Sequence, residues 1–342
     1  MPDARSPQPD NEQQTLSVGS RDSRLALVQT EHVMSLIQQT HPSLKISLET
    51  MKTIGDKILD VSMNKIGDKG LFTKELELAL SSNAVDLVVH SLKDMPTQLP
   101  PNMEIVAITE REDPRDAVIM SLKNQGKKLA DLPAGSVIGT GSVRRVAQLK
   151  RLYPGLVFQD VRGNLNTRMA KLDAEDSQFE ALILAVAGMK RLGFGARISQ
   201  PIDSLLHAVG QGALGIEIRS DDEKTKKLVS ECLNHRPTRL ACLAERELMR
   251  LLEGGCSVPI GVRTEWNAGE LALSAIVASP DGKEAVTAED SAVVLAAEED
   301  GEDRLNEEDG RAKALGAKLA AVMREKGAGK ILDGINPPAT AK

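Results

Sequence analysis

The 342-residue sequence predicts an α/β fold of two similar doubly wound units, followed by a region of different character. Three observations carry this. From about residue 15, short β-branched runs alternate with helical patterns. The alternation restarts after EREDPRDAVIM (110–120). From about residue 232 a long helical pattern leads into strand-like runs.

In order, LSVG (16–19) reads as a strand. SRLALVQTEHVMSLIQQ (23–39) reads as a helix, with Leu25, Val28, His32, Leu36 and Gln39 at helical spacing. KISLETM (45–51) is a strand, FTKELELALSS (72–82) a helix and VDLVV (85–89) a short buried strand. In the second unit, SVIGT (136–140), LVFQDV (156–161) and ALILAVAG (181–188) are strands; VRRVAQLKRLY (143–153) and NTRMAKLD (166–173) are helices. Strands separated by helices imply parallel βαβ units. AVGQGALGIEI (208–218) is Gly-rich, then strand-like, and is placed to return the chain to the first unit. PTRLACLAERELMRLLEGG is a helix running into the loop around Cys256, and LALSAIVAS (271–279) and AVTAEDSAVV (285–294) are strands. AAEEDGEDRLNEEDG (296–310) has no apolar face and reads as a solvated loop. RAKALGAKLAAVMREKG is a last helix ending on Gly327.

Composition narrows the function. Apolar residues make up 41% of the chain, enough to fill real cores. The net charge is −6, with one Trp, one Tyr and four Phe, which supplies neither the basic surface nor the stacking platform of a nucleic-acid partner. The longest apolar stretch, ALILAVAGM (181–189), falls well short of the ~18 residues of a membrane span. MPDARSPQPDNEQQT is polar, carries Asp3, Asp10 and Glu12, and reads as a disordered tail rather than a secretory signal or transit peptide. Three cysteines without a pairing pattern suit a reducing compartment, and no His/Cys cluster has metal-ligand spacing. The expectation is a cytoplasmic protein with no membrane, nucleic-acid or metal partner, and nothing demands more than a monomer.

Four times a strand ends in a small-residue turn and basic residues follow: VGSRDSR (Arg21, Arg24), GTGSVRR (Arg144, Arg145), VRGNLNTR (Arg162, Arg168) and AVAGMKR (Lys190, Arg191). Ligands of open α/β sheets bind at the carboxyl ends of strands, so these cations should converge there. They are also expected in the first turns of the following helices, where the macrodipole disfavours positive charge. An anionic ligand that meets helix N–H groups and guanidinium together would offset that local cost. Any one of these arginines alone could be a solvated surface charge. Four recurrences in an acidic chain point to a ligand with several carboxylates or phosphates. With no GxxxxGK[ST] loop and no GxGxxG opening a helix after a strand, carboxylates are favoured.

HSLKDMPT places Ser91, Lys93 and Asp94 at the end of a strand. Asp94 is either a turn residue or, among arginines, a carboxylate held ionised and able to accept from a substrate N–H or stabilise a cation. His90 reads as structural, and His207 and His235 have no evident partner. Cys256 sits in EGGCSVPIG (253–261), where Gly254 and Gly255 allow close approach of a bulky group and Pro259 stiffens the far side. The thiol is either a small buried residue or a group presented for nucleophilic attack or covalent attachment.

GSRDSRLALVQ, GDKGLFTKELE, VDLVVHSLKDMPT, EREDPRDA, GTGSVRR, VRGNLNTR, LAVAGMKRLG, AVGQGALGIE and LEGGCSVPIG, in this order, closely resemble the porphobilinogen deaminase family. The resemblance runs from about Leu16 to the end of the Cys256 loop, and more weakly through the last helix. It implies a transferase of haem and tetrapyrrole biosynthesis. Such an enzyme joins four porphobilinogen molecules head to tail with loss of ammonia, then releases hydroxymethylbilane by hydrolysis. It also implies a dipyrromethane cofactor held by a thioether to Cys256, and Asp94 as the catalytic carboxylate. Ser91, Lys93, Ser142, Arg144, Arg145, Arg162 and Arg168 match cofactor-binding positions; Arg21, Ser23 and Arg191 match substrate-binding ones. The family fold implies two doubly wound domains like those of periplasmic binding proteins, 13–110 with 210–230 and 114–207. A smaller α+β domain with an antiparallel sheet, 232–338, carries the cysteine loop. GDKILDVSMNKIGDKG (55–70) matches a loop expected to be mobile over the site, and hinge motion between domains is expected. Gly141 stands where the family usually has a serine, so a hydroxyl is missing there. Two other readings compete. A non-catalytic small-anion binder fits the arginines but needs neither Asp94 nor Cys256. A cysteine hydrolase needs a His near Cys256, and none lies in a comparable turn.

Overall fold

The structure is a computed structural model that describes residues 15–53, 55, 72–252, 258–295 and 302–335. The N-terminal tail, the 55–70 loop apart from Gly55, and Cys256 with its two glycines lie outside the described residues.

The first sheet has the order β2-β1-β3-β10-β4, from β1 (Thr15–Arg21), β2 (Lys45–Met51), β3 (Leu87–Ser91), β4 (Met103–Ile108) and β10 (Leu214–Arg219). β1 runs parallel to β2 and β3, whereas β10 runs antiparallel to both β3 and β4. The second sheet repeats this layout as β7-β6-β8-β5-β9, from β5 (Asp116–Met120), β6 (Val137–Gly139), β7 (Val157–Gln159), β8 (Ala181–Ala185) and β9 (Gln200–Ile202). Each sheet therefore has a parallel heart and one antiparallel strand. That strand arrives where the chain crosses between units, through 109–115 into β5 and through 203–213 into β10. Its entry from the opposite end is what reverses its direction, a feature that the expectation of parallel units missed.

Both faces of each sheet are covered. In the first, Val18, Leu87, Val89 and Ile216 pack with Val33 and Ile37 of α1 (Arg24–Thr40) and Val229 of α6 (Glu223–Leu233). On the other face Val85 and Val88 meet Leu76 and Leu80 of α2 (Lys74–Ser81). The buried stripe of α1 is Ala26, Gln29, Thr30, Val33 and Ile37, one residue on from the predicted one, and His32 is exposed. Two polar residues hide this stripe in the sequence, because Gln29 bonds Ser91 and Thr30 bonds Ser20. In the second unit α3 (Val143–Leu152) and α4 (Leu165–Asp173) cover opposite faces through Leu149 and Met169. The apolar run 181–188 is a strand only to Ala185 and continues as the short helix α5 (Val186–Arg191).

The remaining chain forms an antiparallel meander of β11 (Ile260–Asn267), β12 (Glu270–Ala278) and β13 (Ala285–Val293). It packs with α7 (Arg236–Leu251), α8 (Glu302–Glu325) and α9 (Ala328–Ile335) through Leu240, Leu248, Leu273, Leu319 and Ile331. α8 begins inside the acidic stretch that reads as a loop. There the fully buried Glu308 accepts from Arg236 Nε at 2.8 Å and Arg304 Nε at 3.1 Å. Ion pairing with α7 takes the place of an apolar face.

His207 joins the third sheet to the 203–213 crossover by exchanging backbone hydrogen bonds with Val262 at 2.9 and 2.8 Å. Its buried ring bonds Ala208 O at 3.1 Å. Burial, with Arg111 beside it, pushes the imidazole down from 6.5 to about 4, against the pull of Glu245. Between those values the unfolded chain binds a proton that the folded one does not, so stability falls as pH drops through this window. The full effect is about 3 kcal/mol, read as the difference in denaturation free energy between wild type and His207→Gln from pH 7 to pH 4. An identical pH slope in both proteins would contradict the assignment.

Candidate functional site

At the carboxyl end of β3 the chain makes a single 3-10 turn, Leu92–Asp94. Leu92 and Met95 are buried and anchor the turn, leaving Lys93 half-buried and Asp94 exposed between them. Leu92 N donates to Ala213 O at 3.0 Å, so the turn leans on the second crossover. Gly210, at φ 69°, permits that approach: a Cβ there would lie 2.9 Å from Leu92 Cγ. Ser91 bonds Gln29 of α1 at 3.0 Å.

Three helices open toward strand ends with capped N-termini. Ser23 caps α1 by accepting from Ala26 N at 3.4 Å, Ser142 caps α3 by accepting from Arg145 N at 3.4 Å, and Asn164 caps α4 by accepting from Thr167 N at 3.0 Å. Arg144 and Arg145 sit in the first turn of α3, and Arg24 is the first residue of α1, as expected. The other arginines do not follow the rule. Arg21 is the last residue of β1, Arg162 precedes α4, Arg168 is its fourth residue, and Arg191 closes the last turn of α5, where the macrodipole favours a cation.

The offset for the α3 pair comes first from the protein. Asp116, the fully buried first residue of β5, accepts from Arg144 Nη1 at 2.7 Å and from Arg145 Nε at 3.0 Å and Nη2 at 2.8 Å. Desolvation pushes its carboxyl up, but the two guanidiniums outweigh this and hold it well below the usual carboxylate range. No motif in the sequence singles out Asp116. Its signal was a charged residue opening the apolar strand DAVIM.

Lys93 feels this group. Burial pushes its ammonium below the usual lysine range; Asp94 and Asp116 oppose that, and Arg145 and Arg144 add to it. Arg168 is likewise lowered by burial and by Arg145, against Asp160 and Asp94. Asp94, Lys93, Arg144, Arg145 and Arg168 thus share one electrostatic neighbourhood. Arg162 flanks it, bonded to Asp160 at 2.7 Å. A Cβ at Gly141 would lie 2.9 Å from Asp160 Oδ1, so a serine there requires that flexible carboxylate to turn. Arg191 instead donates to Gly212 O of the second crossover at 2.7 Å, beside the Lys190–Glu112 pair at 2.8 Å. Arg21 lies over the Phe72 ring, 4.3 Å from its centroid. The constellation can hold several ligand carboxylates around the exposed Asp94.

Residues 16–227 match the family model described as porphobilinogen deaminase, dipyromethane cofactor binding domain, and residues 239–325 match porphobilinogen deaminase, C-terminal domain. The porphobilinogen deaminase of Synechococcus sp. (strain RCC307) is 52% identical over 320 residues, covering 93% of this chain and 95% of that one. That of Nostoc sp. (strain PCC 7120 / SAG 25.82 / UTEX 2576) is 50% identical over 323 residues, covering 94% of each. That of Gloeobacter violaceus (strain ATCC 29082 / PCC 7421) is 52% identical over 325 residues, again covering 94% of each. Among solved structures, the methionine binding protein MetQ aligns with a TM-score of 0.41 at 13% identity, covering 64% of this chain and 89% of that one.

Proposed function

Because the chain belongs to the porphobilinogen deaminase family, we propose that it is a hydroxymethylbilane synthase with Asp94 as its catalytic carboxylate and Cys256 as the anchor of its dipyrromethane cofactor. The observation that carries the site assignment is the exposed Asp94 lying in one electrostatic neighbourhood with Lys93, Arg144, Arg145 and Arg168.

The residues fit a polycarboxylate with pyrrole N–H groups. Burial pulls Arg144, Arg168 and Lys93 below their ordinary values, so negative charge brought beside them is a favourable compensation for their desolvation. Acetate and propionate groups supply that compensation, and guanidinium forks match carboxylates in a bidentate way that an ammonium cannot. When bound, dipyrromethane supplies the pyrrole end to which substrate is joined.

The chain's own residues do the rest. Arg144, Arg145, Arg162, Arg168 and Lys93 hold carboxylates, with Ser91 and Ser142 at the same helix and strand ends. Arg21, Ser23 and Arg191 receive the carboxylates of incoming porphobilinogen against the pyrrole chain that the first set positions. The Asp94 carboxylate accepts from pyrrole N–H groups and stabilises the positive charge that develops as the aminomethyl nitrogen departs as ammonia. The reading divides the chain into 13–110 with 210–230, 114–207 and 232–338, and each part carries one sheet. It places the enzyme in the cytoplasm as a monomer. Among the described residues no helix is long and apolar enough to cross a membrane.

Intact mass tests the anchor. Wild-type protein supplied with porphobilinogen is expected to be heavier than its polypeptide by one dipyrromethane adduct, and Cys256→Ala is expected to have the bare mass. A folded wild type without the adduct would overturn the cofactor assignment.

A further inference from the structure

We infer that Asp116 is a positioning residue for this reaction: it holds Arg144 and Arg145 as one unit, ties them through Gln211 to the 203–213 crossover, and so sets the geometry in which both guanidiniums meet substrate-derived carboxylates. The inference rests on the function proposed above.

The Asp116 carboxylate gathers three side chains. Its Oδ2 accepts from Arg144 Nη1, and its Oδ1 accepts from Arg145 and from Gln211 Nε2 at 2.9 Å. Gln211 Nε2 also donates to Pro114 O at 2.6 Å, which links the second crossover to the first. Arg144 Nη1 reaches Leu206 O at 2.7 Å, and Arg145 Nη1 reaches Ile183 O in the middle of β8 at 2.9 Å. The plane of each guanidinium is thereby fixed against backbone and carboxylate together. A guanidinium carries five N–H donors, so a fixed plane still presents further donors in a set direction.

Stability alone is a poor reason for this cluster. Buried ion groups are often no more stabilising than apolar residues of the same shape. Here two cations share one anion, so a net positive charge stays buried beside Lys93. Such an arrangement is explained by what it aims at an anionic ligand.

The sign of one substitution separates positioning from simple electrostatics. Asp116 is itself negative, so charge alone predicts that Asp116→Asn tightens binding of an anionic substrate. Positioning predicts weaker binding. Asp116→Glu keeps the charge and shifts the fork by one methylene. It avoids uncompensated buried arginines, so it carries the test if Asp116→Asn does not fold.

The experiment measures KM and kcat for porphobilinogen on full-length wild type and both variants, together with adduct occupancy by intact mass and the thermal melt. Folded Asp116→Glu is expected to keep its adduct while kcat/KM falls by about tenfold to a hundredfold, mostly through KM. Asp116→Asn is expected to raise KM as well. A merely structural role would reduce the fraction of folded enzyme and leave KM unmoved. The inference is overturned if Asp116→Glu keeps both constants within about twofold of wild type, or if Asp116→Asn lowers KM. A wild type without adduct would instead overturn the proposed function, so the two failures are distinguishable.

Discussion

An Asp94→Asn enzyme is expected to release ammonia about a hundredfold to a thousandfold more slowly than wild type while melting at nearly the same temperature. The rate effect follows from what the carboxylate faces. Asp94 is an exposed negative charge beside Lys93 and within the field of Arg168, and Asp160, the other carboxylate acting on Arg168, is already bonded to Arg162. Loss of ammonia leaves positive charge on the substrate, and without Asp94 the surrounding cations would oppose it. Removing one preorganised electrostatic partner of a transition-state charge costs about two to three orders of magnitude. The small stability effect follows from its place on an exposed turn anchored by Leu92 and Met95, where substitutions shift stability by about 0.5 kcal/mol or less. Single-turnover ammonia release and a denaturation midpoint read the two effects separately. A release rate within tenfold of wild type would remove Asp94 from the chemistry.

Glu245→Ala should have the opposite profile, a large loss of stability at a residue outside the cation cluster. Glu245 lies on α7 and is fully buried. It accepts from Arg111 Nη1 at 2.6 Å and Nη2 at 2.8 Å, from Gly210 N at 2.8 Å and from Thr264 Oγ1 at 3.1 Å. Arg111 belongs to the first crossover, Gly210 to the second and Thr264 to β11, so one carboxylate joins both crossovers to the third sheet. Desolvation pushes Glu245 up, but Arg111 outweighs it and holds the carboxyl below its ordinary 4.5. Its contribution is therefore present above that value and is lost as pH falls through the depressed folded one. Removing the carboxylate strands a buried guanidinium and should cost about 3–5 kcal/mol by urea denaturation. A loss below about 1 kcal/mol would show that the crossovers are held by packing alone.

The two kinds of residue in these predictions differ in how visible they were. Asp94 lies in a short loop after an apolar strand, where local sequence marks an exposed polar group. The β2 strand was legible to the residue, at 45–51, because polar and apolar residues alternate from Lys45 to Glu49. Glu245 lies among Ala241, Ala244 and Leu248 on a helix, where its charge reads as surface until Arg111 is brought to it. Glu308 and the start of α8 were hidden for the same reason: the group that makes their burial tolerable comes from α7. The arginine recurrence was real as a pattern, but its reading as four equivalent helix starts held for Arg24, Arg144 and Arg145 and not for Arg21, Arg162 or Arg191.

By itself the sequence determined the alternation of strands and helices, the change of character near residue 232, the acidic surface and the turns that bear Asp94 and the arginines. These are local properties, set by side-chain periodicity and by which residues tolerate turns. Tertiary structure alone decided that β5 and β10 run against their neighbours, that Arg191 and Gly212 meet, and that Asp116 and Glu245 are buried. The physical reason is that a buried charge is permitted only by its partner. Here the partners lie 28 and 29 residues away for Asp116 and 134 for Glu245, a distance that only the folded chain closes.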